Sequence, residues 1–177
     1  PLFAQRIRQA ARKGCTVTAI DDVVRDWALP VAQTLVAAPQ DWFQALSDVA
    51  AAVAQQKGVD APNAQGKANA VASSVAAALL VGEHKAVLLG NAAAHHVQAA
   101  TLLALANWIG EQTGATVGCL TEAANTVGAQ WMKALPGDAG FNAAQMLEGR
   151  AKALLLLQTE PVFDSAAGSK AASALAG

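Results

Sequence analysis

The chain has 177 residues, the size of one domain or of one domain with an appendage. Alanine fills 45 positions, apolar types make up 54%, charged residues only 14%, and mean hydropathy is +0.30. A disordered, highly charged tail is therefore excluded, because disorder needs low hydrophobicity and high net charge. A net charge of −1, with no Lys/Arg run longer than two, leaves no basic footprint for nucleic acid. The most apolar stretches, 70–82 and 151–157, fall short of the roughly 20 residues that cross a bilayer.

Residues 3–13 predict a helix whose apolar stripe is Phe3, Ile7 and Ala10 or Ala11. Gly14 suits its C′ position, after Arg12 and Lys13 in the last turn, where cations favour the helix dipole. CTVTAID (15–21) is β-branched, ends in an acid and reads as a strand. Helix, glycine, strand is the second half of a βαβ unit whose first strand is not in the sequence. With Pro1 in place of Met and no signal peptide, the chain reads as a piece of something longer.

From 22 to 38 the signal is mixed, with VAQTLV (31–36) a candidate short strand. Trp42, Leu46, Val49 and Val53 recur at helical steps, with Pro39 suited to the first turn and Gly58 to the end. Asp60, Pro62 and Asn63 mark a break. A second helix is expected from about 64 to 81 on Val71, Val75 and Leu79, its alanines letting a neighbour come close and Gly82 closing it.

AVLLG (86–90) is a continuous apolar run, the mark of a strand buried on both faces of a parallel sheet. Residues 95–112 predict a helix on Leu102, Leu105 and Ile109, and ATVGCL (115–120) the next strand. Residues 122–134 read as helical in part, ended by Pro136–Gly137. Asn142 is an N-cap with Gln145 as capping-box partner, and Phe141 is placed to staple onto Met146. Arg150 and Lys152 end that helix, ALLLLQ (153–158) is a fourth strand, and 165–175 a weak alanine-rich helix. This order predicts an α/β fold, a Rossmann-like parallel sheet of about four strands flanked by helices, as an incomplete domain. Residues 1–38 would end one βαβ unit, 39–82 form a helical pair, and 83–177 a βαβαβ unit.

Ligands of such a sheet bind beyond the carboxyl ends of its strands. Those ends are Asp21–Asp22, Gly90–Asn91, Leu120 to Asn125 and Thr159–Glu160–Pro161. Asp21, Gly90, Asn91 and Glu160 are the candidate cofactor contacts, each with a plainer reading as a turn or loop residue. After AVLLG the chain reads Gly90-Asn91-Ala92-Ala93-Ala94-His95, which is not the dinucleotide fingerprint, and no phosphate loop, HExxH or GxSxG occurs. His95 and His96 are adjacent and so point about 100° apart on a helix, which is no metal face. Cys15 and Cys119 stand far apart in apolar, strand-like runs and read as small buried side chains. Trp42 and Trp108 fall on helix faces as core residues, whereas Trp27 and Trp131 suit a surface covered by a partner. No catalytic residue and no metal ligand can be named.

RIRQAARKGCTVTAID (6–21), IGEQTGATVGCLTEAANTVGA (109–129), GFNAAQML (140–147) and KALLLLQTEPVFD (152–164) resemble the large iron–sulfur subunit of bacterial respiratory complex I, NADH:quinone oxidoreductase. The resemblance is to its C-terminal, molybdopterin-oxidoreductase-like part and is weakest over 22–85 and in the tail. Where the wider molybdopterin family often has Gly-x-Asn-Pro and Asp-Pro-Arg, this chain reads Gly90-Asn91-Ala92-Ala93 and Asp21-Asp22-Val23-Val24. The resemblance implies a scaffold in the peripheral arm that is not itself redox-active. No cofactor is expected in this stretch, with the iron–sulfur clusters in a separate N-terminal part of the parent subunit. The implied partners are the remainder of that subunit and other peripheral-arm subunits, with no nucleic acid and no membrane insertion. The implied location is cytoplasmic, peripheral to the inner membrane. The first alternative is a cofactor-binding domain of a molybdopterin-dependent oxidoreductase, with the loops at Gly90 and Glu160 touching a nucleotide. The second is a free-standing small Rossmann-like enzyme.

Overall fold

The computed structural model describes residues 2–120, 126–137, 140–165 and 168–176. The chain divides into two compact units, Pro1–Glu122 and Ala123–Gly177. The first unit runs α1 (Leu2–Arg12), β1 (Thr18–Asp21), β2 (Gln33–Val36), α2 (Trp42–Lys57), α3 (Ala70–Val81), β3 (Ala86–Gly90), α4 (Asn91–Ala94), α5 (Ala99–Thr113) and β4 (Thr116–Leu120).

Its core is a layer of helices. Leu46, Val49, Ala50, Ala52 and Val53 of α2 are buried with Ala72 and Ala76 of α3 and with Leu102, Leu105 and Ile109 of α5. The stripes legible in the sequence of α2 and α5 are thus the faces that are buried. On α3 the fully buried residues are the alanines, with Val75 and Leu79 packed beside them, so the small side chains bring α3 against α2. Burying a side chain such as Val53 or Ile109 contributes about 1.5–3 kcal/mol. Gly58 (φ 70°) and Gly114 (φ 75°) terminate α2 and α5 in the left-handed conformation that side chains disfavour. The Lys57 Nζ donates to the Gln112 carbonyl at 2.6 Å and ties these two helix ends together.

The fold class is mixed α/β, as the sequence leads one to expect, but the four strands do not form one ladder. β1 pairs in parallel with β2, β3 pairs in parallel with β4, and among the described residues no ladder joins the two pairs. Ile20 of β1 and Val87 of β3 both pack against the helical core. AVLLG is not buried on both faces: exposure alternates along β3, and Leu88 is 44% exposed. Its second face has no helix layer over it among the described residues of this unit.

Two helices start later than their patterns suggest. α3 begins at Ala70 because 63–69 is folded onto α2 instead. Gln65 N and Gly66 N donate to Asn63 Oδ1, and Asp48 of α2 accepts from Lys67 N and the Asn69 side chain. Asn69 then caps α3, accepting from Ala72 N at 2.8 Å. α5 begins at Ala99, after a turn in which His96 Nδ1 accepts from Gln98 N.

The second unit contains α6 (Thr126–Trp131), α7 (Ala143–Gln145), α8 (Pro161–Asp164) and α9 (Gly168–Ala176). The capping box is formed: Asn142 Oδ1 accepts from Gln145 N at 2.9 Å, and Gln145 Oε1 accepts from Asn142 N at 3.0 Å. The chain then passes through a single wide turn, Met146–Arg150, in which Gly149 takes φ 83°. The expected fourth strand, 153–158, is not formed. The described residues of this unit contain no other strand, and a lone strand leaves its N–H and C=O groups unpaired. Leu155 and Leu157 are 96% and 84% exposed. Among the described residues no helix is long and apolar enough to cross a membrane. Residues 121–125, where the sequence places a strand end and a helix start, lie outside the described residues.

Candidate functional site

The strand ends of the first unit carry organised polar groups. At the end of β1, Asp21 carries the Arg25 guanidinium, with Nε donating to Oδ2 at 2.6 Å and an η-nitrogen to Oδ1 at 3.0 Å. Arg25 also reaches Asp22 at 2.9 Å, and Asp22 N donates to Asp21 Oδ1. These hydrogen bonds, Arg25 first, outweigh the opposing effect of burial and lower the Asp21 carboxyl from 3.8 to about 2. A carboxylate held so low accepts protons poorly near neutrality, and in this geometry Asp21 is the ion-pair partner of Arg25.

The segments that follow β2 and β3 meet. Trp42 Nε1 donates to the Ala37 carbonyl at 2.9 Å, and the Trp42 ring lies 5.7 Å from the ring of His96. His96 Nδ1 accepts from Gln98 N at 3.0 Å, so the ring proton is on Nε2, which faces the Pro39 carbonyl at 3.0 Å and donates to it. His96 thus joins the turn after β3 to the turn after β2. His95 and His84 are exposed.

Gly90 is the N-cap of the four-residue α4, and Asn91 is its first residue. The Asn91 carboxamide oxygen is buried and has no hydrogen-bond partner among the described residues. Glu160 lies in the second unit. Since 153–158 is not a strand, Glu160 is not at a strand end: it precedes the short α8. Its N–H donates to Asp164 Oδ2 at 2.6 Å. The four candidates therefore do not form one demonstrated site. Asp21 is engaged in an ion pair, Gly90 and Asn91 shape a βα turn, and Glu160 belongs to a proline-restrained turn.

Cys15 and Cys119 are both exposed free thiols, contrary to the buried positions their apolar surroundings suggest. Cys15 falls ahead of the ladder, and Cys119 takes an exposed position in β4. Trp42 and Trp108 pack against the core as expected, while Trp27 and Trp131 are 37% and 82% exposed. No group of three His, Cys, Asp or Glu able to hold a metal ion occurs among the described residues. Open depressions lie between α5 and β4, around Asn107, Gly110 and Val117, and around Gly149, Ser169 and Lys170. Neither is lined by Asp21, Gly90, Asn91 or Glu160.

Strand patterning does not reveal the Asp21–Arg25 pair, although an acid and a base four residues apart are a readable signal. Nor does it reveal the His96–Pro39 bond, which joins residues 57 apart and leaves no local trace. No family model, curated protein or solved structure matches the chain.

Proposed function

We propose that the chain is a structural α/β domain of the large iron–sulfur subunit of NADH:quinone oxidoreductase, from its molybdopterin-oxidoreductase-like part. In this reading it carries no cofactor and is not redox-active. It supports the cluster-bearing part of the subunit and touches neighbouring subunits of the peripheral arm, on the cytoplasmic side of the inner membrane. Its four strands belong to a Rossmann-like parallel sheet that is completed only in the intact subunit.

The observation that carries the reading is the amount of apolar surface left open. Parallel strands are ordinarily covered on both faces, yet Leu88 of β3 is exposed. In the second unit Trp131, Met132, Leu155, Leu157 and Phe163 are each more than four-fifths exposed. Large exposed apolar patches mark surfaces that meet other protein. The sequence resemblance supplies the identity of that protein.

The test is to tag the chain in cells and separate native membrane extracts on a gel stained for NADH dehydrogenase activity. The tag is expected in the active complex I band. A tag that migrates only apart from that band overturns the reading. A second reading, a domain that binds a molybdopterin cofactor, is favoured by one observation, the unpartnered Asn91 oxygen at the end of β3. Fluorescent pterin released in stoichiometric amount from the purified chain would establish it.

A further inference from the structure

We infer that the two strand pairs flank an open slot for one more strand, giving the order β2–β1–strand–β3–β4, all parallel. Four observations converge on it. First, each pair is parallel and only two strands wide, so β1 and β3 each have an edge without a ladder partner among the described residues. Second, Ile20 of β1 and Val87 of β3 pack against the same cluster of α2, α3 and α5, so both pairs lie over one shared helix layer, on which Val117 of β4 also sits against Gly110 of α5. Third, the segment after β2 meets the segment after β3 through Pro39 and His96, as two pairs running the same way would bring them together. Fourth, α1 feeds directly into β1, and its apolar side is uncovered. None of its residues is buried, and Phe3 is 69% exposed.

A helix that leads into a strand of a parallel sheet returns from a neighbouring parallel strand, by a right-handed crossover. For α1 that neighbour is a strand beside β1, on the edge that β2 leaves free. α5 makes the same kind of crossover from β3 to β4, moving outward on the other side. Strand order thus reverses at the slot, which gives a doubly wound sheet with its first strand at the centre. The absence of this strand explains why four parallel strands sit as two separate pairs and why Leu88 is exposed.

The occupant is an extended polypeptide segment of about five residues, apolar and β-branched, because a central parallel strand is buried on both faces. Its source is the remainder of the same subunit, and in that respect the inference rests on the proposed function. Ladder phase is fixed by Ala37 N donating to Asp21 O and Thr116 N donating to Lys85 O. Alternation then turns the amides of Thr18, Ile20, Ala86 and Leu88 into the slot.

Amide hydrogen exchange by NMR tests this on the full chain carrying a Val-Ile-Val-Ile-Val strand and a short Gly-Asn turn ahead of α1. The control graft has proline at its second and fourth positions. The four amides are expected to slow about tenfold or more with the strand and not with the control. A soluble Lys-Val-Ile-Val-Ile-Val-Lys peptide added at millimolar concentration to the unaltered chain reads the same amides without any change to folding, and is expected to slow them too. Unchanged exchange in both formats overturns the inference. So does protection already present in the unaltered chain, whether independent of concentration, meaning that β1 closes directly on β3, or dependent on it, meaning that a second copy fills the slot. None of these readouts involves complex I, so a failed slot and a failed assignment to complex I are told apart.

Discussion

Asp48, in the middle of α2, holds the residue that starts α3: Asn69 Nδ2 donates to Asp48 Oδ2 at 3.1 Å while Asn69 Oδ1 accepts the Ala72 N–H at 2.8 Å. The other Asp48 oxygen accepts from Lys67 N at 2.8 Å and from Gln44 Nε2 at 2.7 Å. One carboxylate therefore sets both the path of 63–69 and the register at which α3 begins. Asp48→Ala removes acceptors from three donors at once. It is expected to cost about 1.5–3 kcal/mol in urea unfolding, the range for hydrogen bonds to charged groups. It should also speed amide exchange at 65–72. A variant with unchanged stability would show that the loop docks without it.

The same loop depends on close backbone approach. A Cβ at Gly66 would run into the Ser47 carbonyl oxygen and the Ala51 side chain on α2. These are parts of a packed helix, which cannot move aside as the end of a long side chain would. Gly66→Ala is expected to destabilise by about 1–3 kcal/mol, as overpacking does. Combined with Asp48→Ala, the total should fall short of the sum, because both variants release one loop. Strict additivity in a double-mutant cycle would count against a shared role.

How far the sequence can be read follows from how local each feature is. The stripes on α2 and α5, the glycine stops at Gly58 and Gly114, and the Asn142 capping box are set by neighbours within a few residues, and all are found. α3 starts later than its stripe suggests because Asp48, 21 residues from Asn69, captures the loop. ALLLLQ has the composition of a strand, but a strand exists only with a ladder partner, and its unit offers none among the described residues. Cys15 and Cys119 have apolar neighbours in sequence, yet both thiols are exposed. Of the candidate site, Asp21, Gly90 and Asn91 do lie at strand ends, but the pairing of Asp21 with Arg25 and the bond from His96 to Pro39 are contacts that strand patterning does not show.

The Asp21–Arg25 pair makes stability depend on pH in one direction. The folded carboxyl is held at about 2, below its ordinary 3.8. Its contribution is therefore complete above about pH 4 and is lost as pH falls from there through 2, since the unfolded chain then binds the proton more tightly. Arg25 is half exposed, so solvent screens the pair and the slope will be shallow. In a carboxyl-carbon NMR titration Asp21 should remain ionised well below its ordinary value, and Arg25→Met should bring it back towards 3.8. A native Asp21 that already titrates near 3.8 would sink this reading.

The hydrogen bonds of His96 select one tautomer, with the ring hydrogen on Nε2. Gln98 N supplies a proton to Nδ1, which leaves Nε2 to carry the ring hydrogen towards Pro39 O. Nitrogen NMR of the imidazole is expected to show Nδ1 as the unprotonated, pyridine-type atom. His96→Ala should loosen residues 37–42 in hydrogen exchange and cost about 1 kcal/mol, the scale of a hydrogen bond. A spectrum with the proton on Nδ1 would mean that the turn after β3 is held in some other way.

In the second unit the clearest local determinant of helix formation is Asn142. Its side chain satisfies the Gln145 N–H, and the Gln145 side chain returns the bond to the Asn142 N–H, so two donors that the first turn leaves open are paired. The helix behind them is only three residues long before the wide turn at Met146–Arg150, so propagation adds little and the cap carries the start. Asn142→Ala is expected to cost about 0.5–2 kcal/mol, and Asn142→Asp or Asn142→Ser far less, because both keep an oxygen acceptor at the N-cap. Thermal unfolding followed by far-ultraviolet circular dichroism measures the difference. If alanine and serine at 142 behave alike, the capping box is not what starts this helix.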